Sequence, residues 1–529
     1  MNIELPANAF FLLPPKGENN GVDFLGLRQA NLDMMADSIP STNNVTSYIR
    51  PFSLLCWIFW KFHALCIEAD VSEPTSDDLR AFRERIEVLF TWGARLADYP
   101  RIPGKQADPP VAERECLPLT FEDWSRVQTS TSLIAALWYG PASKTVTGLG
   151  FLMPVPRKPG FFRAVERGVA LAEAFDHLLH TDNARYQQLL ATLKVVTASE
   201  EDARALWELW SPSTVSAAEQ EAFRGAFFAE AAIGDYSSLI GKRSSTLALA
   251  RLHLAQGAAP LRPDEVRRGM FLSVGEAGGV YAVPAALEPA RDKWIVLQMR
   301  QLQRLSLETL LSWCEIQILG GQRETAALAR TFEEAWRESG FPLAKAETFA
   351  GALRSLEEQF SSLGSFIAQC RMSDGPTPFN LMDQIEAEFE ARGRGLAPLC
   401  LHGLLLCAAF AHCLPESSPE IRLGGAQRLS LYHLRRRLLA LGGMPLGEAI
   451  RFIIEAMVIS QHFATAVNRF DGQNQRLRLA IEETGLCSLV DGPWQPTVTE
   501  DRLPTLLSLA AECRLIEKTP DGRYQGAAA

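Results

Sequence analysis

The sequence lacks the linear signatures that most enzyme classes carry. There is no Gly-x-Ser-x-Gly elbow to lift a serine nucleophile onto a strand-to-helix turn. The eight histidines never fall in a His-Glu-x-x-His spacing. A magnesium-dependent nuclease would need carboxylates and a lysine clustered around strands, whereas Asp and Glu here are scattered over helical stretches. Residues 234–244 (GDYSSLIGKRS) come nearest to a phosphate loop. Tyr236 stands where that motif needs its first glycine, and Arg243 stands where it needs a magnesium-binding Ser or Thr. The loop around Gly140 (YGPASKTVTGLG) fails the same spacing.

Other absences bound the class. Ten cysteines in 529 residues make no disulfide framework, and Cys56, Cys66, Cys314 and Cys407 sit in apolar runs. Buried thiols in a reducing, cytoplasmic setting are the expectation. The chain opens Met1-Asn2-Ile3-Glu4, without the basic and then apolar order of a signal peptide. A membrane-spanning helix needs about 20 mostly apolar residues. Residues 53–66 are too short and contain Lys61 and His63, while residues 396–414 contain Pro398, His402 and His412. The second run is expected to be a buried helix, and no membrane partner is expected. Its Cys400, His402, Cys407, His412 and Cys413 offer soft metal ligands. They lie along one apolar helix instead of pairing at turns, so packing is read there, with no metal and no cofactor.

What is present is helical. The hydrophobic share of 47% and charged share of 22% are those of a globular chain, and the length implies several domains. In residues 291–319, Trp294, Leu297, Leu302, Leu305, Leu310, Trp313 and Ile316 recur at helical steps, with arginines and glutamines between them. Residues 77–96, 168–180, 343–370 and 429–440 read as further helices. Short strands are expected at 148–154, 161–164, 280–283, 514–518 and 522–525. The fold class is therefore mainly α, a multi-domain helical protein with small winged-helix-like modules. Breaker-rich stretches at 99–118, 258–279, 374–378 and 415–425 suggest an N-terminal helical domain (1–110) and a winged-helix-like module (111–200). A helical middle domain (201–415) and a C-terminal basic helical and winged-helix-like domain (416–529) would follow.

Two stretches follow the winged-helix order. In residues 121–178 a helix through 132–139 is followed by two strands flanking the basic turn Arg157-Lys158-Pro159-Gly160, and then by a closing helix. At the C-terminus, Asp501 can cap a helix with Pro504 in its first turn. A hairpin turning at Pro520-Asp521-Gly522 comes next, and helices at 446–460 and 476–483 would precede it. The helix at 502–513 is too apolar to read bases, which requires Arg, Lys, Asn or Gln on an exposed face.

Net charge is −10, yet residues 420–480 hold nine arginines (422, 428, 435, 436, 437, 451, 469, 476, 478) against four acids (420, 448, 455, 471), about +5. Arg435, Arg436 and Arg437 fan across one helix, and Arg476 and Arg478 follow an Asp-Gly turn. With Arg157 and Lys158 they are the candidate DNA-phosphate contacts. Ion pairs with the acidic remainder of the chain, or with an acidic partner, are the competing explanation.

Four segments resemble large helical proteins encoded in bacterial phage-defence gene clusters: STNNVTSYIRPFSLLCWIFWKFH (41–63), ALWYGPASKTVTGLGFL (136–152), KWIVLQMRQLQRLSLETLLSWCE (293–315) and QHFATAVNRFDGQNQRLRLAIEETG (461–485). The resemblance implies a subunit working beside a motor or nuclease encoded elsewhere, and it brings no catalytic residues. The expected function is a non-enzymatic scaffold or adaptor of a bacterial multi-protein complex in antiviral defence. Its expected partners are other protein subunits and double-stranded DNA. The alternative is a nucleic-acid-processing enzyme whose site is assembled from distant residues.

Overall fold

Helix accounts for 59% of the described residues and strand for 6%, as the periodicity of the sequence requires. The computed structural model describes residues 23–110, 115–275, 278–346, 348–372, 377–470 and 476–527. Parts of the 99–118 and 374–378 breaker stretches and the Asp-Gly turn before Arg476 lie outside the described residues. The chain forms two compact units. One, the 35–291 unit, is Met35–Arg291 with Glu500–Ala529; the other, the 292–499 unit, is Met1–Met34 with Asp292–Thr499.

The core element of the 35–291 unit is the helix Arg50–Glu68, with Pro51 in its first turn, where a missing N–H costs nothing. Phe52, Leu54, Leu55, Cys56, Trp57, Ile58 and Phe59 are fully buried. An apolar circumference of this kind must be covered on every side. Helices Glu166–Leu179 and Ser76–Leu96 pack against it, and the latter also packs on Glu200–Trp210. Gly93 permits that last approach, because a Cβ there would lie 2.7 Å from the Trp207 Cβ. Capping boxes at Thr75/Asp78, Ser199/Asp202 and Ser216/Glu219 fix three helix starts. Glu219 also receives Arg50 through two bonds of 2.8 and 3.0 Å, with both side chains wholly buried. Removing either partner would strand a buried charge.

Three sequence expectations in this unit change. No helix spans 132–139; short helices Gln128–Thr131 and Tyr139–Ser143 flank a run of turns. Residues 280–283 contribute a single bridge, Val274 with Val280, and no strand. Asp501 accepts the Leu503 N–H at 3.1 Å, but its main partner is the Arg267 guanidinium. The helix it precedes, Leu503–Glu512, packs against Leu239–Leu254 and Pro263–Leu272. Strands Ile516–Lys518 and Tyr524–Gly526 pair antiparallel, and Tyr524 bridges back to Leu261.

In the 292–499 unit the helix Leu396–His412 is buried along its length, as expected. The Cys400 and Cys407 thiols are pushed well up by that burial. Cys407 donates to the Met299 carbonyl at 3.3 Å. Gly403 lets the helix approach Leu302 and Ser306 closely, since a Cβ there would meet Ser306 Oγ at 2.6 Å. Helices Leu431–Ala440, Phe349–Gln359, Pro378–Glu390 and Thr325–Glu338 surround it. The expected helix over 343–370 is interrupted, with Phe349–Gln359 and Leu363–Cys370 meeting at a break. Residues 476–483 form no helix. Leu479–Glu482 is a strand paired with Gly485–Ser488.

Within Glu288–Leu319, the polar residues between the apolar steps are buried as well. Arg300, Gln301, Gln303, Arg304, Glu308, Ser312 and Glu315 are all covered. Arg300 and Gln303 donate to the Leu429 carbonyl, Gln301 to the Thr499 carbonyl and Ser312 to the Trp494 carbonyl. The helix is an axis onto which loops hang by hydrogen bonds, because buried carbonyls need donors. Leu446–Asn468 is the one helix among the described residues long and apolar enough to cross a membrane, and half of its most apolar window is buried inside the protein. It is π-helical over Ile453–Ile459.

Candidate nucleic-acid interface

The candidate cations separate into two groups. In the 292–499 unit two of the five candidates, Arg435 and Arg478, face carboxylates, as do three neighbouring arginines. Arg435 Nε donates to Glu357 Oε1 at 2.9 Å, Nη1 lies 3.6 Å from Glu416, and Nη2 contacts the His412 ring. Arg478 is bonded through Nε and Nη2 to the wholly buried Glu315, donates to the Gly492 carbonyl, and lies over the Phe24 ring. Arg428 pairs with Asp33, Arg451 with Glu455 and Arg469 with Asp23. Five of the nine arginines in 420–480 are thus matched by acids from elsewhere in the same unit or from the next helical turn. Arg436 is exposed on the outer face of Leu431–Ala440, with its guanidinium 5.7 Å from the Tyr432 ring centroid. Arg437 is half-buried and has no ion pair among the described residues. Arg476 has bonding partners and is not an unoccupied cation.

Arg157 and Lys158 stand differently. Strands Leu152–Pro154 and Phe162–Ala164 pair antiparallel, with Met153 opposite Arg163. The connection is closed by Val155 N–H to the Phe161 carbonyl at 2.9 Å and Phe161 N–H to the Lys158 carbonyl at 3.1 Å. Pro156 and Pro159 stiffen it. Arg157 and Gly160 take the left-handed conformation, at φ 62° and 82°, which reverses the chain within five residues. Every residue from Pro156 to Gly160 is exposed. Lys158 lies 5.6 Å from the Phe161 ring centroid, an aromatic contact that limits the freedom of its stem.

Three cations that sequence reasoning passed over extend this surface. Arg163 is exposed on the second strand and Arg167 on the first turn of Glu166–Leu179. Lys144 sits 5.7 Å from the Phe162 ring centroid, and its backbone bridges to Leu152. None of the five is ion-paired among the described residues. From 144 to 167 there are five cations and one acid, Glu166, so the segment carries +4. Its signal in the sequence is an acid-free run: no Asp or Glu occurs from Trp124 to Val165.

The hairpin is anchored from beneath. Phe162 packs on Phe59 with ring centroids 5.3 Å apart, and its carbonyl meets His63 Nε2 at 3.2 Å. Both partners belong to the buried helix Arg50–Glu68. A rigidly seated hairpin is suited to presenting cations to phosphate, because little backbone freedom is given up on binding.

The phosphate-loop candidate at 234–244 is a structural brace. Ser238 caps the helix Leu239–Leu254 through the Gly241 N–H, and Lys242 pairs with Asp37. Buried Arg243 donates to the Phe227, Ala226 and Pro40 carbonyls. Among the described residues, no group of three or more His, Cys, Asp or Glu is placed to hold a metal ion. The Asp176 contact with His180, at 3.3 Å, is part of a packing cluster in which Asp176 also accepts from Trp57 and Tyr186. No family model, no curated protein and no solved structure matches the chain.

Proposed function

We propose that the chain is a non-enzymatic scaffold or adaptor of a bacterial multi-protein complex in antiviral defence, and that it contacts the phosphate backbone of double-stranded DNA through the 152–164 hairpin. The observation that carries the DNA contact is the set of unpaired cations on and beside a stiff hairpin: Arg157, Lys158, Arg163 and Arg167 are exposed, and Lys144 is half-buried. The defence setting rests on the four resembling segments. Arg435 and Arg478 are assigned to holding their unit together.

The winged-helix reading is supported at the C-terminus by an interrupted order. Helix Leu239–Leu254, the bridged residue Leu261, helix Pro263–Leu272, helix Leu503–Glu512 and the hairpin Ile516–Gly526 pack together in the sequence of a winged helix. The residues 273–502 are inserted between its second and third helices. The helix in the recognition position is covered from Leu506 to Ala510, so this module packs and does not read bases. The adaptor therefore touches DNA without choosing sequence, since phosphate contacts carry no base information.

Fluorescence anisotropy with two unrelated duplexes tests the reading. Equal affinities that fall steeply with salt, with the DNA intact after incubation with magnesium, are expected. Absence of salt-dependent binding would remove the DNA contact, and cleavage would replace the adaptor by an enzyme.

A further inference from the structure

A second feature, in the 292–499 unit, has the character of a small-ligand site. A cavity of about 310 Å³ opens between the helix Ser460–Asn468, the loop after Gly425 and the helix Leu431–Ala440. That volume is at the lower end of ligand pockets. One wall is Gln461, Ala464, Thr465 and Asn468, spaced so that they share one helical face. The opposite wall is Ala426 and Gln427, and Arg437 reaches it from the third side.

The lining is one cation, amides, a hydroxyl and small side chains, without a carboxylate. Arg437 has no ion pair among the described residues. The loop turns through Gly424 and Gly425 at φ 90° and 59°. The next two backbone N–H groups, of Ala426 and Gln427, have no hydrogen-bond partner among the described residues. Successive amides in a turn can form an anion-binding concavity, and here both residues line the cavity together with Arg437. Gln461 is held by donation through Nε2 to the Leu25 and Gln427 carbonyls, both at 2.9 Å. Its Oε1 is left to accept from a ligand hydroxyl. The π-helical segment Ile453–Ile459 directly precedes this wall, and such segments recur at functional sites.

We propose that this cavity binds the phosphate group of a small organic phosphate, with Arg437 and the Ala426 and Gln427 amides on the phosphate and Gln461 and Asn468 on the attached hydroxyls. The site is separate from the hairpin and does not depend on DNA binding there. Isothermal titration of the full chain with inorganic phosphate, ribose 5-phosphate and a 5′-phosphorylated oligonucleotide tests it. Ribose 5-phosphate should bind more tightly than inorganic phosphate. Arg437→Ala should weaken it by about tenfold or more, as removal of a charge-assisted hydrogen bond does. Arg437→Lys should retain part of the affinity, and Arg157→Glu/Lys158→Glu should retain all of it. Binding of the oligonucleotide alone, retained by Arg157→Glu/Lys158→Glu and lost by Arg437→Ala, would assign the same phosphate chemistry to a nucleic-acid end. No binding of any of the three, or equal binding by folded Arg437→Ala protein, would overturn the proposal.

Discussion

Two regions of this chain are rich in positive charge, and they use it in opposite ways. Residues 420–480 carry nine arginines, of which five face carboxylates within their own unit. The 144–167 segment carries five cations, of which none is ion-paired among the described residues. By sequence count the first is the more basic. By available charge the second is, because a guanidinium already neutralised by a buried carboxylate offers little to a phosphate. The lesson is that net charge per segment ranks candidate surfaces poorly when the balancing acids lie far away in the chain.

The largest expected contrast is in stability. Arg478→Ala leaves Glu315 buried without its cation and should cost about 3–5 kcal/mol, read as a drop in the denaturation midpoint. Arg435→Ala should cost less, about 2 kcal/mol, because its carboxylates Glu357 and Glu416 keep some contact with water. Arg157→Ala should fall within about 0.5 kcal/mol, as exposed substitutions do. A drop for Arg157→Ala as large as that for Arg478→Ala would erase the distinction between the regions.

A half-buried acid sharpens the same point from the side of negative charge. Glu512 turns its carboxyl onto the Ile49 N–H at 2.6 Å, and burial pushes it up to about 8 against an unperturbed 4.5. A raised carboxyl stabilises the fold fully below its unfolded value. The contribution is lost as pH rises through the folded value. Stability of the wild type should therefore decline between about pH 4.5 and 8 as this group is forced to ionise. Glu512→Gln should flatten that decline, as followed by urea denaturation across the range. An unchanged pH profile would mean that the carboxyl is ionised in place.

Much of the fold was legible. Helices at 77–96, 168–180, 291–319 and 429–440 are present within a few residues, because apolar residues at helical spacing leave few alternatives. Strand 479–482 was missed: the apolar pair Leu479 and Ile481 alternates over too few residues to outweigh helical spacing. The arginines of the candidate site could not be sorted from sequence. Glu357 lies 78 positions from Arg435 and Glu315 lies 163 positions from Arg478, and nothing local marks such partners. The polar face of 291–319 is equally illegible, since Arg300, Arg304 and Glu308 look like solvated residues until the loops that cover them are known. The hairpin was legible only in part. Its acid-free run from 124 to 165 stands in the sequence, yet Arg126 within that run pairs with the buried Glu87, so only the folded chain sets Arg157, Lys158 and Arg163 apart.

The contrast between the two basic regions is tested most directly by duplex affinity as a function of salt for two folded variants, Arg157→Glu/Lys158→Glu and Arg436→Glu. Each phosphate that is no longer neutralised should lower the salt slope by about one. The hairpin variant should show a slope smaller by about two units and an affinity weaker by on the order of 100-fold at low salt, while Arg436→Glu should stay within about threefold of wild type. Wild-type binding by the hairpin variant, with weakening confined to Arg436→Glu, would contradict the account and return the DNA contact to the arginine-rich helix.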